Sequence, residues 1–154
     1  MTTSHAGQFA HADRPARLAT SELATLVFGA VFLLVGIVGF IITGFDDFFS
    51  HHTGEKLLWF EINPAHNIVH LAFGVLGLAL ARRRRGPLTF GLIVGFGYLA
   101  ALLYGLVAID ETWDFLSINA ADNWLHLVLA AAGFAVVFIA TSERVDSDEA
   151  PRAG

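Results

Sequence analysis

The stretch Ile62-Asn63-Pro64-Ala65-His66-Asn67-Ile68-Val69-His70-Leu71-Ala72-Phe73-Gly74-Val75-Leu76-Gly77-Leu78-Ala79-Leu80-Ala81-Arg82-Arg83-Arg84-Arg85 decides the fold of this chain. Asn63 followed by Pro64 is a helix start: the amide oxygen accepts orphan backbone donors, and proline has no N–H to orphan. From Ile68 to Ala81 only His70 interrupts an apolar run, which stops at four consecutive arginines. The segment 64–81 therefore reads as a membrane-crossing helix, although His66, Asn67 and His70 make it the least apolar of the candidates. A crossing needs roughly 20 residues, and backbone groups in lipid must bond internally, so such runs are helices.

Three further runs flank it. Residues 23–43 carry no charge, residues 87–109 are uncharged throughout, and residues 121–141 are apolar apart from a polar start and Thr141. Of the 154 residues, 55% are hydrophobic and only 15% charged, and the mean hydropathy is +0.62. A soluble domain of this length carries more charge and shorter apolar runs. The first run is too long for a signal-peptide core, and Gly44-Phe45-Asp46-Asp47 offers no small-x-small cleavage site, so it reads as a retained span. The fold class expected is an all-α membrane protein, a four-helix up-down bundle over 21–141, with polar tails at 1–20 and 142–154.

Charge sets the orientation. Four spans place Arg14, Arg17, Arg82, Arg83, Arg84, Arg85, Arg144 and Arg152 on one side and leave only Lys56 opposite. By the positive-inside rule the arginine side, with both termini, is cytoplasmic. Asp46, Asp47, Glu55, Glu61, Asp110, Glu111 and Asp114 fall on the outer side, with Trp59, Trp113 and Trp124 as an interfacial belt. Asp46, Asp47, Asp110 and Glu111 read as a solvated rim rather than a cation-collecting funnel, and the polyarginine loop as a topology anchor or an anionic-lipid contact.

Two segments align without a gap, Ile62 to Leu71 and Ile118 to Leu127, sharing the pattern I-N-x-A-[HD]-N-x-x-H-L. Each opens the second helix of a two-helix unit, and Gly29 and Gly39 of the first unit correspond loosely to Gly95 and Gly105 of the second. The chain reads as a duplicated hairpin, a parallel repeat with its pseudo-two-fold axis along the membrane normal. The four spans, the acidic outer loops and the paired motifs resemble the bacterial, largely actinobacterial, membrane family catalogued as domain of unknown function 4383. The resemblance runs from about Leu18 to Thr141. It implies a bacterial plasma-membrane protein and carries no activity with it.

The repeated motif is where chemistry concentrates. Asn63 and Asn119 read as helix caps, with Asp122 favoured in the first turn by the positive helix end. At about 100° per residue, positions 63, 66, 67 and 70 share an arc of roughly 100°, a polar stripe on an otherwise apolar helix. His70 and His126 lie about two turns, roughly 10 Å, inside the outer end, where ionisable groups must face the bundle interior and find partners. Three readings compete. In the first, Asn67, His70, Asn123 and His126 form a neutral hydrogen-bonded clasp between the second and fourth helices, with the asparagines bonding across helices or to the opposing histidines. In the second, His66, His70, Asp122 and His126 hold a divalent metal, zinc-like by donor set, which His51 and His52 in the outer loop could capture; haem on His70 and His126 has no further feature in its support. In the third, the histidines gate a small ligand or proton near neutral pH.

The sequence lacks cysteine, which excludes disulfides and thiolate sites, and shows no basic face with interleaved aromatics for nucleic acid. No nucleophile set, phosphate loop or nucleotide motif appears in the chain. The inner halves of the helices hold no ionisable residue to carry a wet path to the cytoplasm. Gly91 and Gly95, with Gly36, Gly39, Gly74 and Gly77, permit close helix packing within the bundle or in a homo-oligomer. The function expected is therefore non-enzymatic: an accessory or structural protein of the plasma membrane, in contact with the lipid bilayer and with a second copy or another membrane protein. The metal- or haem-binding and ligand- or proton-responsive readings stand as alternatives.

Overall fold

The computed structural model describes residues 17–51 and 53–149. It consists of α1 (Thr20–Thr43), a two-stranded hairpin of β1 (Lys56–Leu57) and β2 (Phe60–Glu61), then α2 (Pro64–Leu80), α3 (Gly86–Ala108) and α4 (Ala120–Glu149). Helices α1, α3 and α4 are long and apolar enough to cross a bilayer, and α2 is a shorter apolar helix of 17 residues. At 1.5 Å per residue α2 spans about 25 Å, somewhat less than a hydrocarbon core of about 30 Å. The helices turn apolar side chains outward all round the bundle: Ile41 is 77% exposed, Val107 64% and Phe138 73%. Water does not tolerate so continuous an apolar surface, whereas lipid requires one. The chain is a multi-pass membrane protein.

Two departures from the sequence reading occur at the ends and loops. Helix α4 does not stop near 141 but continues to Glu149. No glycine or proline interrupts the chain from Phe134 to Ala150, and Glu143 is tied back to the start of α1. Its carboxylate accepts from the Ser21 hydroxyl at 2.6 Å and from the Ser21 backbone N–H at 3.2 Å, closing the bundle at the face that carries the arginines. In the long connection between α1 and α2, Lys56 pairs with Glu61 and Leu57 with Phe60 across the β-hairpin, and a Lys56–Glu61 ion pair of 3.6 Å spans it. A two-residue ladder gives too short an alternation to be read from sequence.

Helix α1 packs chiefly along α2, and α3 along α4, so the bundle is two antiparallel helical pairs with a sparser seam between them. Each pair closes on glycine. A Cβ at Gly77 would stand 2.7 Å from the Cα of Gly29, and one at Gly133 would stand 2.8 Å from the Cα of Gly95 and overlap its backbone nitrogen. Between the pairs, aromatic rings fill the core: Phe32 of α1 stacks on Tyr98 of α3 at 5.5 Å, and Phe73 of α2 lies 5.1 Å from the same ring. Phe32, Phe90, Val94, Tyr98 and Ala130 form its buried centre.

Because the α3–α4 crossing leaves no room for a side chain, Gly133→Leu is expected to destabilise the protein by about 1–3 kcal/mol or to prevent pairing outright. Phe138→Leu, on the lipid face, should leave stability near wild type. Thermal unfolding in detergent micelles distinguishes the two.

Candidate functional site

The polar residues of the repeated motif all lie at the β-hairpin end of the bundle; Asn63, His66, Asn67, His70, Asp122 and His126 are buried, and Asn119 and Asn123 half-buried. Their positions follow from how α2 and α4 begin. Asn63 Oδ1 accepts from the His66 backbone N–H at 2.8 Å, capping α2. Its Nδ2 donates to the Ser50 carbonyl at 3.0 Å and to the Phe115 carbonyl at 2.8 Å, so this cap also holds the α3–α4 loop. In α4, Asn119 Oδ1 accepts from the Asp122 N–H at 3.1 Å while an Asp122 carboxylate oxygen accepts from the Asn119 N–H at 3.0 Å. This is a reciprocal capping box. Asn119 Nδ2 donates to the Trp59 carbonyl at 2.9 Å, in the turn of the β-hairpin. Each cap asparagine thus reaches into the loop of the opposite helical pair.

These starts fix the two polar stripes, and each stripe splits. His66 and His70 lie on one edge of α2, and Asn67 lies on the other, roughly 100° from His66. The asparagine edges turn toward their own helical pairs. Asn67 donates to Thr43 Oγ1 at 2.9 Å, and its amide fills the space where a Cβ on Gly39 would go. Asn123 likewise occupies the space beside Gly105. The expected pairing of Asn67 with Asn123, or with the opposing histidines, does not form: neither buried Oδ1 has a hydrogen-bond partner among the described residues. The reason is the width of the stripe, whose two edges meet different neighbours.

The histidine edges do meet across the seam. His66 of α2 and Asp122 and His126 of α4 are 5%, 1% and 3% exposed, and each offers a ligand atom such that the three lie within 4.8 Å of one another. His70 is outside this trio. Its ring stacks on His66 at 4.9 Å, and its Nδ1 is 3.4 Å from the Tyr98 hydroxyl. The His126 ring lies 6.2 Å from that of His66 and 5.4 Å from that of Tyr98, and its buried Nδ1 has no partner among the described residues. His66 Nδ1 stands 3.2 Å from the Leu116 carbonyl. Donation to that carbonyl puts the proton on Nδ1 and leaves Nε2 with its lone pair free. His51 lies in the long α1–α2 connection, and His52, named with it as a capture site, falls outside the described residues.

Two residues were not singled out by the sequence. Asp114 stands there only as one of the outer-loop acids, and it is 1% exposed. One oxygen accepts from the Tyr104 hydroxyl at 3.0 Å and the Leu116 N–H at 3.2 Å, the other from the Ile118 N–H at 2.7 Å. Asp114 therefore shapes the loop whose Leu116 carbonyl orients His66. Tyr98 reads as part of an apolar run, and only the packing of α3 brings its hydroxyl to His70. No spacing signal marks either residue, because each acts on a segment that folding brings to it.

A buried cluster of two imidazoles and a carboxylate at the meeting of two helical pairs defines the class: a multi-pass helical membrane protein with a polar site enclosed near one end of its bundle. The chain belongs to the family described as Domain of unknown function (DUF4383), whose profile matches residues 22–139. No curated protein and no solved structure matches it.

Asp114→Asn replaces one of the two acceptor oxygens by a donor facing a backbone N–H. The expected loss is about 1.5–3 kcal/mol, the worth of a hydrogen bond to a charged group. Unfolding midpoints in micelles, compared with Asp110→Asn on the nearby surface, check this.

Proposed function

We propose that this protein binds a divalent first-row metal ion at His66, Asp122 and His126, and that the ion ties its two helical pairs together. The observation that carries the reading is the convergence of three buried ligand atoms within 4.8 Å, contributed by α2 and α4. Bonds of about 2.0–2.2 Å to a central ion bridge that spread after small side-chain rotations. The contact from His66 Nδ1 to the Leu116 carbonyl is of the kind that fixes the tautomer and direction of a metal-bound imidazole. The buried Nδ1 of His126, without a hydrogen-bond partner among the described residues, would gain one if the ion bound at that atom. With three protein ligands an ion there would have a further position for a fourth ligand, and all three ligand residues, with His70, line the adjoining cavity. The reading is of a binding protein, not an enzyme.

Two further features belong to the same proposal. The chain is a duplicated hairpin: Gly39 faces Asn67 as Gly105 faces Asn123, and Gly29 meets Gly77 as Gly95 meets Gly133. These pairs keep the register of the repeated motif, with one spacing relating α1 to α3 and another relating α2 to α4. The arginine face is cytoplasmic in a plasma membrane, as the clustering of basic residues there favours. The chain has no cysteine, so single introduced thiols report orientation directly. An impermeant maleimide on intact cells should label Trp59→Cys and spare Arg83→Cys; the reverse pattern inverts the topology.

A second reading has one observation in its favour. The Tyr98 hydroxyl lies 3.4 Å from His70 Nδ1, a polar contact between α3 and α2 of the kind a neutral hydrogen-bonded clasp uses, worth about 0.6–2 kcal/mol per polar pair. Elemental analysis of protein purified without chelators separates the two. The metal reading expects one equivalent of zinc or a neighbouring metal, lost in His66→Asn with His126→Asn and retained in His70→Gln. A folded, metal-free wild type that also fails to take up added zinc would leave the clasp.

A further inference from the structure

The seam between α1 and α4 is sparsely packed, as is that between α2 and α3, because these helices belong to different pairs. Two apolar cavities lie along it. The first, about 150 Å³, runs between Val31, Val35 and Leu125 and ends against His66, Asp122 and His126. Leu57, Leu58 and Phe60 of the β-hairpin also line it. The second, about 400 Å³, shares Val31, Phe32 and Leu129 with the first and continues along α1 past Val27 and Leu23 to Thr20. Leu23, Val27 and Val31 are each about half exposed, so the groove faces the hydrocarbon rather than an aqueous compartment. From Val35 to Thr20 it follows α1 for about 22 Å, most of the depth of a hydrocarbon core.

The chemistry along this path is segregated. The imidazoles and the carboxylate sit at one end, the walls beyond are aliphatic and aromatic, and among the described residues neither lysine nor arginine lines either cavity. A phosphate head would find no cationic side chain there. A divalent ion held by two neutral imidazoles and the Asp122 carboxylate keeps one net positive charge and an open position, and it faces that cavity. Lateral access from lipid, room for one chain between two helices, and a single positive charge at the blind end together specify the occupant. We infer that the seam binds a single-chain aliphatic carboxylate, such as a free fatty acid, with its carboxylate on the bound ion and its chain along α1 and α4. This rests on the metal reading above and names the ligand for the ion's open position.

The test uses the full chain in phosphatidylcholine nanodiscs with zinc added and a trace of palmitic acid bearing a diazirine in its chain. After illumination, peptide mass spectrometry locates the label. Label should concentrate several-fold on the segments holding Val31, Phe32 and Leu129 over the lipid-facing Phe96 and Phe138. It should be lost on chelation, and lost in Val31→Trp, which fills the groove from a half-exposed position, but not in Val107→Trp on the outer face of α3. Even labelling of all lipid-facing segments in zinc-loaded protein would overturn the inference, as would groove labelling that survives removal of zinc. Zinc content of the same discs, measured without the fatty acid, shows separately whether the ion site itself has failed.

Discussion

The structure depends on one constraint: polar side chains carried into a hydrocarbon layer must be hidden from it and given partners. His66, Asn67, His70, Asp122, Asn123 and His126 all lie within the first turns of α2 and α4, and all except Asn123 fall in the buried class. Once those turns sit at membrane depth, α2 and α4 must present their histidine edges to each other, and their asparagine edges must find cover. That cover comes from α1 and α3, where Gly39 and Gly105 leave room for an amide. The pairing of helices and the approach of the two pairs are consequences of one requirement met twice.

The loops make the arrangement specific. Each cap asparagine has two tasks, starting its own helix and holding a carbonyl of the opposite pair: Asn63 reaches Phe115, and Asn119 reaches Trp59. Such crossed contacts fix the offset of the two pairs along the membrane normal more tightly than the aromatic core below them, since directional bonds tolerate less sliding than ring packing. Asp114 then sets the loop that orients His66. At the opposite end the Glu143 carboxylate, accepting from the Ser21 hydroxyl and backbone N–H, joins α4 to α1. Between these two ties the α1–α4 seam is sparsely packed, and two apolar cavities lie along it, the first lined in part by His66, Asp122 and His126.

The apolar runs were legible because lipid imposes a simple code of length and apolarity, and α1, α3 and the start of α4 lie within a turn of the bounds read from the sequence. The caps were legible because Asn63-Pro64 and Asn119 with Asp122 act on backbone donors only three residues away. Asp114 was not, since its burial comes from Tyr104 and the turn around it rather than from its own neighbours in sequence. The full extent of α4 depended on Ser21, and the β-hairpin on packing over the end of the bundle; neither leaves a periodic trace.

The sequence by itself determined that this chain crosses a membrane, where its helices begin, and that matching polar stripes open α2 and α4. It could not say which edge of a stripe faces which neighbour, because an arc of about 100° can touch two helices at once. Only the tertiary structure decided that. By packing α1 on α2 and α3 on α4, it sent the asparagines to glycine notches inside each pair. The same packing brought His66, Asp122 and His126 together at the seam and left His70 beside them with Tyr98.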